Sequence, residues 1–198
     1  MDLTITPTKL HGAVTPPPSK SQAHRLLIAA ALSGGVSTIH NLADSQDIAA
    51  TRRCLAALGA RIDELGENTV QVHGLGNAVV EAGPAPILDC GESGSTLRFL
   101  IPLALLVNGE AAFTGHGRLM ERPLKPYEDL FREKGIAWKW ENGRLTVDGG
   151  RGYGDCALAP GAYRLPGNVS SQFFTGLLFA LPLLDGDSTL VPTTPLES

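Results

Sequence analysis

This chain lacks long apolar runs and has only a small excess of negative charge. The two longest apolar runs, residues 97–107 and 173–184, are too short to cross a bilayer, and each contains a proline. They therefore predict buried helices and no membrane anchor. With a formal net charge of -4 and no block of like charges, the chain also lacks the basic surface that general nucleic-acid binding requires. Any anion site must be local.

Cysteine is also scarce. Cys54, Cys90 and Cys156 are odd in number, far apart, and in neither metal-like nor Cys-x-x-Cys spacing. The histidines show no metal-ligand spacing either, and His24 is interpreted as a helix-packing residue. No signal or transit peptide is visible in residues 1–5. The sequence therefore predicts a cytoplasmic protein with reduced thiols and no metal.

What the chain does contain is a repeat. Three stretches share one order: small polar residues, an apolar run of helix length, a glycine, then a short strand-like segment. The marker positions, 14, 14 and 15 residues apart, are Ser21 and Gly35, Ser95 and Gly109, and Ser171 and Gly186. Such a repeat indicates one supersecondary unit used several times, each copy needing neighbours to bury its apolar face.

The first two copies have a second half, in which a helix pattern ends at Gly59 or Gly135 and a hairpin follows. Helices are predicted over residues 21–32 and 44–58, the second with Asp44 or Ser45 as its cap. The hairpin strands are predicted over residues 60–63 with 69–72, and 136–140 with 144–147. Each complete unit thus reads strand, helix, strand, helix, hairpin.

These units predict an α/β (α+β) fold of repeated βαβαββ units, with inner helices covered by mixed sheets. Residues 1–13 alternate as a strand does, and prolines 16–18 form a stiff connector, so a domain crossing is predicted near residue 15. The third copy stops halfway, which predicts a truncated chain.

Each apolar helix begins with a cluster of small polar residues, at positions 19–21, 94–96 and 167–172. Exposed amide N–H groups and the positive end of the helix dipole make such a start an anion site. Serine is also a good N-cap, so each cluster alone is equally explained as a cap.

Basic residues in the first turns favour the anion site. Arg25 and Arg98 enter apolar helices, where an unpaired guanidinium would cost several kcal/mol. Their partner is either a ligand anion or an internal carboxylate, for which Asp44, Asp47 and Glu92 are the candidates. A third basic group lies in the loop 116–126, which a solvated loop would also explain; its members are Arg118, Arg122 and Lys125.

Four ordered motifs carry a resemblance to a known family. PSKSQAHR (residues 18–25), CGESGSTLR (90–98), RLMERP (118–123) and GNVSSQF (167–173) closely resemble those of 5-enolpyruvylshikimate-3-phosphate synthase. The resemblance covers the whole chain but only the first part of the family's length. It implies an enolpyruvyl transferase-like fold of two similar domains, each of three βαβαββ units. Residues 1–14 would then belong to a second domain absent here, and residues 15–198 to the first, with units at about 15–89, 90–162 and half of a third at 163–198.

The resemblance implies transfer of the enolpyruvyl group of phosphoenolpyruvate to the 5-hydroxyl of shikimate 3-phosphate, without a cofactor. Lys20 would touch both substrates and take part in catalysis. The implied contacts to shikimate 3-phosphate are Lys20, Ser21, Arg25, Ser170, Ser171, Gln172 and Ser198. Those to phosphoenolpyruvate are Lys20, Gly94, Arg98, Arg122 and Gln172.

The chain departs from the family in two ways. Glu-Ser-Gly-Ser at 92–95 replaces the frequent Asn-Ala-Gly-Thr, which bears on the shape of the phosphoenolpyruvate pocket. The family's acid and base carboxylates come from the other domain, so we expect this chain to bind shikimate 3-phosphate without turnover. The parent enzyme is expected to be monomeric, whereas the uncovered third unit predicts self-association of the fragment.

Three other readings remain open at this point. A UDP-N-acetylglucosamine enolpyruvyl transferase normally has a catalytic cysteine in the loop, and none lies between Phe113 and Pro123; it also has asparagine in place of Ser21. An RNA 3'-terminal phosphate cyclase shares the unit but needs a reactive histidine and an RNA surface. A non-catalytic anion-binding module would not prefer shikimate 3-phosphate over phosphate.

Overall fold

The computed structural model describes residues 4, 6–9, 11–76, 84–150 and 157–197. Its helices are α1 (Lys20–Leu32), α2 (Gln46–Ala57), α3 (Gly94–Val107), α4 (Lys125–Glu133) and α5 (Ser171–Ala180). Its strands are β1 (Val36–Ile39), β2 (Arg61–Gly66), β3 (Thr69–His73), β4 (Ile87–Asp89), β5 (Glu110–Thr114), β6 (Ala137–Glu141), β7 (Arg144–Asp148), β8 (Gly161–Leu165) and β9 (Ser188–Pro192).

The second repeat is a complete βαβαββ unit. Its strand order is β4-β5-β7-β6, with β4 parallel to β5 and β7 antiparallel to both β5 and β6. The hairpin turns at Asn142 and Gly143, whose φ angles of 51° and 72° are the left-handed pair of a type I′ turn. The predicted mixed sheet and the second hairpin are therefore confirmed.

The first repeat forms the three-stranded sheet β1-β3-β2, and no described strand precedes α1, so the predicted complete βαβαββ unit lacks its opening strand among the described residues. Its hairpin turns at Glu67 and Asn68, both with positive φ. The sequence predicts a strand over residues 1–13. None is present in the described part of that segment, and residues 1–3, 5 and 10 lie outside the description. The assignment of residues 1–14 to another domain remains a prediction.

The third repeat is a βαβ unit in which β8 runs parallel to β9. The predicted starts of the second and third units at residues 90 and 163 are too late. Ile87 of β4 pairs with Ala112, and Gly161 of β8 pairs with Ser188, so each of these strands opens the unit that follows it.

Helix α3 is at the centre of the molecule. Eleven of its residues are buried, and α5 packs along it. The two helices approach closely at Gly176, where a Cβ would lie 2.6 Å from the carbonyl oxygen of Arg98 on α3. From α4, Tyr127 fills the adjacent space, and its hydroxyl donates to the carbonyl of Phe173 at 2.7 Å. The predicted inner helix is thus held between its neighbours, with its first turn directed at the candidate site.

Candidate anion-binding site

Serines cap four of the helices. In each case the serine Oγ accepts a backbone N–H of the first turn at 3.2–3.3 Å; the caps are Ser19, Ser45, Ser93 and Ser170. Ser45 is thus the cap of α2, as one of the two predicted alternatives had it. Ser21 and Ser95 lie two residues after their caps and Ser171 lies one residue after its cap; all three are inside the helices and do not cap them. Capping therefore explains one serine at each of the starts of α1, α3 and α5, but it does not explain the serine that follows.

The starts of α3 and α5 are joined by Gln172. Its Oε1 accepts from Nη1 of Arg98 at 2.8 Å, and its Nε2 donates to Ser95 Oγ at 2.9 Å. These two bonds use both ends of the amide and fix its orientation. Residues 77 positions apart in the chain are thus brought to one place.

Two guanidinium groups converge on Gly94 at the start of α3. A Cβ built on Gly94 would lie 2.5 Å from Nη1 of Arg122 and 3.2 Å from Nη1 of Arg98. Arg98 is only 8% exposed, and its burial, together with the charge of Arg122, lowers its pKa. Two neighbouring cations beside helix amides form a strong site for an anion.

The three carboxylates predicted as partners of Arg25 and Arg98 do not pair with them, and Asp44 forms no ion pair with a described residue. Asp47 instead holds the Lys20 ammonium, Nζ to Oδ2 at 2.7 Å, and Glu92 lies 3.6 Å from His116. Among the described residues, Arg98 and Arg122 have no ion pair with any Asp or Glu. Both guanidinium charges therefore lack a carboxylate counter-ion within the described part of the chain.

Arg25 lies on α1 against the face of Phe99. Its Nη1 donates to the carbonyl of Ser21 at 2.8 Å, and its guanidinium carbon is 5.5 Å from the ring centre of Phe99 on α3. The side chain is exposed, so its remaining N–H groups face solvent. Lys20, half exposed at 54%, is similarly accessible from the same helix start.

The loop 116–126 splits into two kinds of basic residue. Arg118 pairs with Glu121 at 3.4 Å and Lys125 with Asp129 at 2.7 Å, both on the surface. For these two the solvated-loop interpretation fits. Arg122 alone of the three turns toward Gly94. Ser198, the remaining predicted contact, lies outside the described residues.

The described part of the chain contains no cluster of three or more His, Cys, Asp or Glu arranged to hold a metal ion. In the same residues, none of the helices has the length and apolar character to cross a membrane.

Sequence reasoning missed a buried polar chain beneath the site. His24, 1% exposed, was interpreted as packing alone, yet its Nδ1 lies 2.7 Å from Oγ1 of Thr51. Thr51 Oγ1 is in turn 2.7 Å from Oγ1 of Thr96, which bonds to the cap Ser93 at 2.7 Å. The only signal in the sequence is one threonine on the apolar face of α2 and one on that of α3. Burial lowers the pKa of His24 from 6.5 to about 4, so this imidazole is neutral.

The free energy of unfolding is expected to fall as the pH is lowered from 6.5 to about 4. Between these two pH values His24 is protonated in the unfolded chain but neutral in the folded chain. Because the unfolded state binds the additional proton, lowering the pH stabilises it relative to the folded state. Above this pH range both states are neutral and the contribution is fully present. A shift of this size is worth about 3 kcal/mol.

Urea unfolding of the wild type and of His24→Asn at a series of pH values measures this effect. We expect the variant to lose this part of the pH slope, while His40→Asn, which alters an exposed histidine, retains it. Equal slopes in wild type and His24→Asn would contradict the assignment.

Comparison with known proteins agrees with the architecture. The family model for EPSP synthase (3-phosphoshikimate 1-carboxyvinyltransferase) matches residues 5–197. A 3-phosphoshikimate 1-carboxyvinyltransferase of Clostridium kluyveri is 50% identical over 198 residues, covering 99% of this chain and 44% of the relative. One of Clostridium novyi is 45% identical over 207 residues, covering 100% of this chain and 45% of that relative.

A solved structure of EPSP synthase from Acinetobacter baumannii is similar at a TM-score of 0.76 and 25% identity, covering 94% of this chain and 41% of that one. The enolpyruvyl transferase NikO from Streptomyces tendae shares the fold, at a TM-score of 0.53 and 17% identity over 86% of this chain and 38% of that one. The chain spans less than half the length of the curated relatives it matches. With its family model matched almost from end to end, this chain belongs to the EPSP synthase family.

Proposed function

We propose that this chain forms the shikimate 3-phosphate half of an enolpyruvyl transferase of the shikimate pathway, which leads to the aromatic amino acids. The reaction moves the enolpyruvyl group of phosphoenolpyruvate to the 5-hydroxyl of shikimate 3-phosphate and releases phosphate. The observation that supports the proposal is Gln172 at the start of α5, which joins the proposed shikimate 3-phosphate contacts there to Arg98 and Ser95 at the start of α3.

The two substrates are assigned to neighbouring helix starts. The proposed contacts to shikimate 3-phosphate are Lys20, Ser21, Arg25, Ser170, Ser171, Gln172 and Ser198. The proposed contacts to phosphoenolpyruvate are Lys20, Gly94, Arg98, Arg122 and Gln172. Fixed cations and amides at adjacent helix starts hold together two anions that repel one another, which lowers the entropic part of the barrier.

In the reaction the 5-hydroxyl loses its proton to a base as its oxygen attacks C2 of phosphoenolpyruvate and C3 gains a proton, and phosphate then leaves as C3 loses a proton. Both steps need a group that exchanges protons with carbon. Near the site, Asp47 is paired with Lys20 and Glu92 lies beside His116. We therefore propose that this chain binds substrate without turning it over. Buried free thiols at Cys54 and Cys90 support a reducing, cytoplasmic setting.

Calorimetric titration of the purified chain with shikimate 3-phosphate tests the proposal, with phosphate, shikimate and UDP-N-acetylglucosamine as separate controls. Saturable binding that needs both halves of the ligand is expected. Arg25→Ala and Gln172→Ala should each weaken it about tenfold or more, because each removes a charged or amide contact.

The matched control is Arg144→Ala, which removes an exposed arginine on β7 and should leave the affinity unchanged. Equal affinity for phosphate and shikimate 3-phosphate would indicate a plain anion module and contradict the proposal. Turnover by the purified chain above background would contradict its catalytic silence.

A further inference from the structure

Four polar side chains occupy the core where α1, α2 and α3 meet. His24, Ser93, Thr51 and Thr96 are each 1% exposed or less. Apolar residues of similar volume would pack there without any polar group to satisfy. The four instead form one connected chain of hydrogen bonds, with each step between side chains at 2.7 Å. Such a network specifies a single arrangement of the helices that carry it.

Each threonine of this chain has one hydroxyl hydrogen, which the acceptors around it share. Thr96 Oγ1 lies 2.7 Å from both Ser93 Oγ and Thr51 Oγ1. The chain runs from His24 on α1, whose Nδ1 is 2.7 Å from Thr51 Oγ1, to Ser93, the cap of α3.

Both threonines also reach Asp47. The carbonyl oxygen of Asp47 is 3.2 Å from Thr51 Oγ1 and 3.4 Å from Thr96 Oγ1. The carboxylate of the same residue holds the Lys20 ammonium at 2.7 Å. The position of Lys20 on α1 is thus linked through one residue of α2 to the first turn of α3.

We propose that Thr51 and Thr96 are positioning residues that set Lys20, through Asp47, at a fixed place relative to the Gly94 anion site. Neither threonine touches a substrate. The inference rests on the proposed function, in which Lys20 contacts both ligands. It deepens that function because it explains how cations on separate helices keep the spacing that two adjacent anions require.

The test compares Thr96→Val and Thr51→Val, which keep the side-chain shape and remove the hydroxyl. Each should weaken shikimate 3-phosphate binding about tenfold, the effect of one or two lost hydrogen bonds. Thr96→Ser and Thr51→Ser, which keep the hydroxyl, should restore it. Thr146→Val, on a strand of the second sheet with no side-chain hydrogen bond to a described residue, is the matched control and should bind as the wild type does.

A double-mutant cycle separates positioning from general damage to the fold. In a Lys20→Met background, Thr96→Val should cost little further affinity, because the cation that it positions is gone. If the full tenfold loss persists without the ammonium, the threonine acts by another route and the proposal is overturned. Urea unfolding of each variant establishes that the proteins compared are folded.

A readout without ligand keeps this inference separate from the proposed function. The NMR signals of the Lys20 ε-methylene should move in Thr96→Val and Thr51→Val toward their positions in Asp47→Asn, and remain in place in Thr146→Val. Absence of shikimate 3-phosphate binding in the wild type would count against the proposed function alone. Lys20 signals that stay unmoved in both valine variants would overturn the positioning role.

Discussion

Arg98→Met is expected to weaken phosphoenolpyruvate or phosphate binding about a hundredfold and, at the same time, to raise the stability of the free chain. Removing one charge of a buried ion contact costs about 2–5 kcal/mol of binding free energy. A hundredfold loss of affinity corresponds to about 2.7 kcal/mol, which lies in the lower half of that range. In the free chain the same charge is unfavourable, because burial and Arg122 both oppose it and lower its pKa. Methionine fills much of the same space without that cost, so unfolding should require about 1 kcal/mol more.

Titration calorimetry and urea unfolding of the same preparation measure the two effects together. Arg144→Met, which changes an exposed arginine, should alter neither. A variant that lost both binding and stability would show that Arg98 serves the fold, through its bond to Gln172, and not a ligand. Opposite signs are the signature of a residue kept for binding.

Gly176→Ala is expected to lower the free energy of unfolding by about 3 kcal/mol, the upper part of the range for overpacking a core. A Cβ at this position would collide with the Tyr127 hydroxyl and would lie 2.6 Å from the carbonyl oxygen of Arg98. Pro102, four residues after Arg98, has no N–H for that carbonyl, and α5 packs against it there. Because a backbone atom is in the way, a small side-chain rotation cannot relieve the contact.

Urea unfolding of Gly176→Ala beside Gly35→Ala checks this expectation. No heavy atom lies within 4 Å of a Cβ at Gly35, so the control should change stability by less than about 0.5 kcal/mol. Adding Tyr127→Phe to Gly176→Ala should recover part of the loss, since it removes one of the colliding atoms. Equal stabilities for the two alanine variants would show that the α3–α5 contact is looser than described.

Local sequence signals were enough for much of the architecture. The hairpin around Asn142 and Gly143 was predictable, because those residues favour the left-handed turn that joins twisted strands. The start of α2 was predictable to within its cap, since Asp44 and Ser45 are both good caps and only geometry decides between them. The repeat itself followed from recurring serines and glycines.

Other features depend on contacts between distant parts of the chain. That Asp47 pairs with Lys20, and not with Arg25 or Arg98, is a matter of which helices lie side by side. In the sequence, Thr51 and Thr96 cannot be distinguished from any other threonine within a helix. Their hydrogen-bonded contact becomes visible only when α2 and α3 are packed together. Likewise, the sequence does not distinguish the three basic residues of the loop 116–126, of which only Arg122 is directed toward Gly94 by the fold.

The serine-capped starts of α1, α3 and α5 allow attraction of an anion and choice among anions to depend on different parts of the chain. Backbone amides at a helix start attract any anion, and this attraction depends little on which anion binds. In the proposed site, choice among ligands would depend on a few exposed side chains such as Arg25 and Arg122, neither of which lies in the core. A lineage built on this repeat can therefore exchange its ligand by altering surface cations, while the buried scaffold stays as it was inherited.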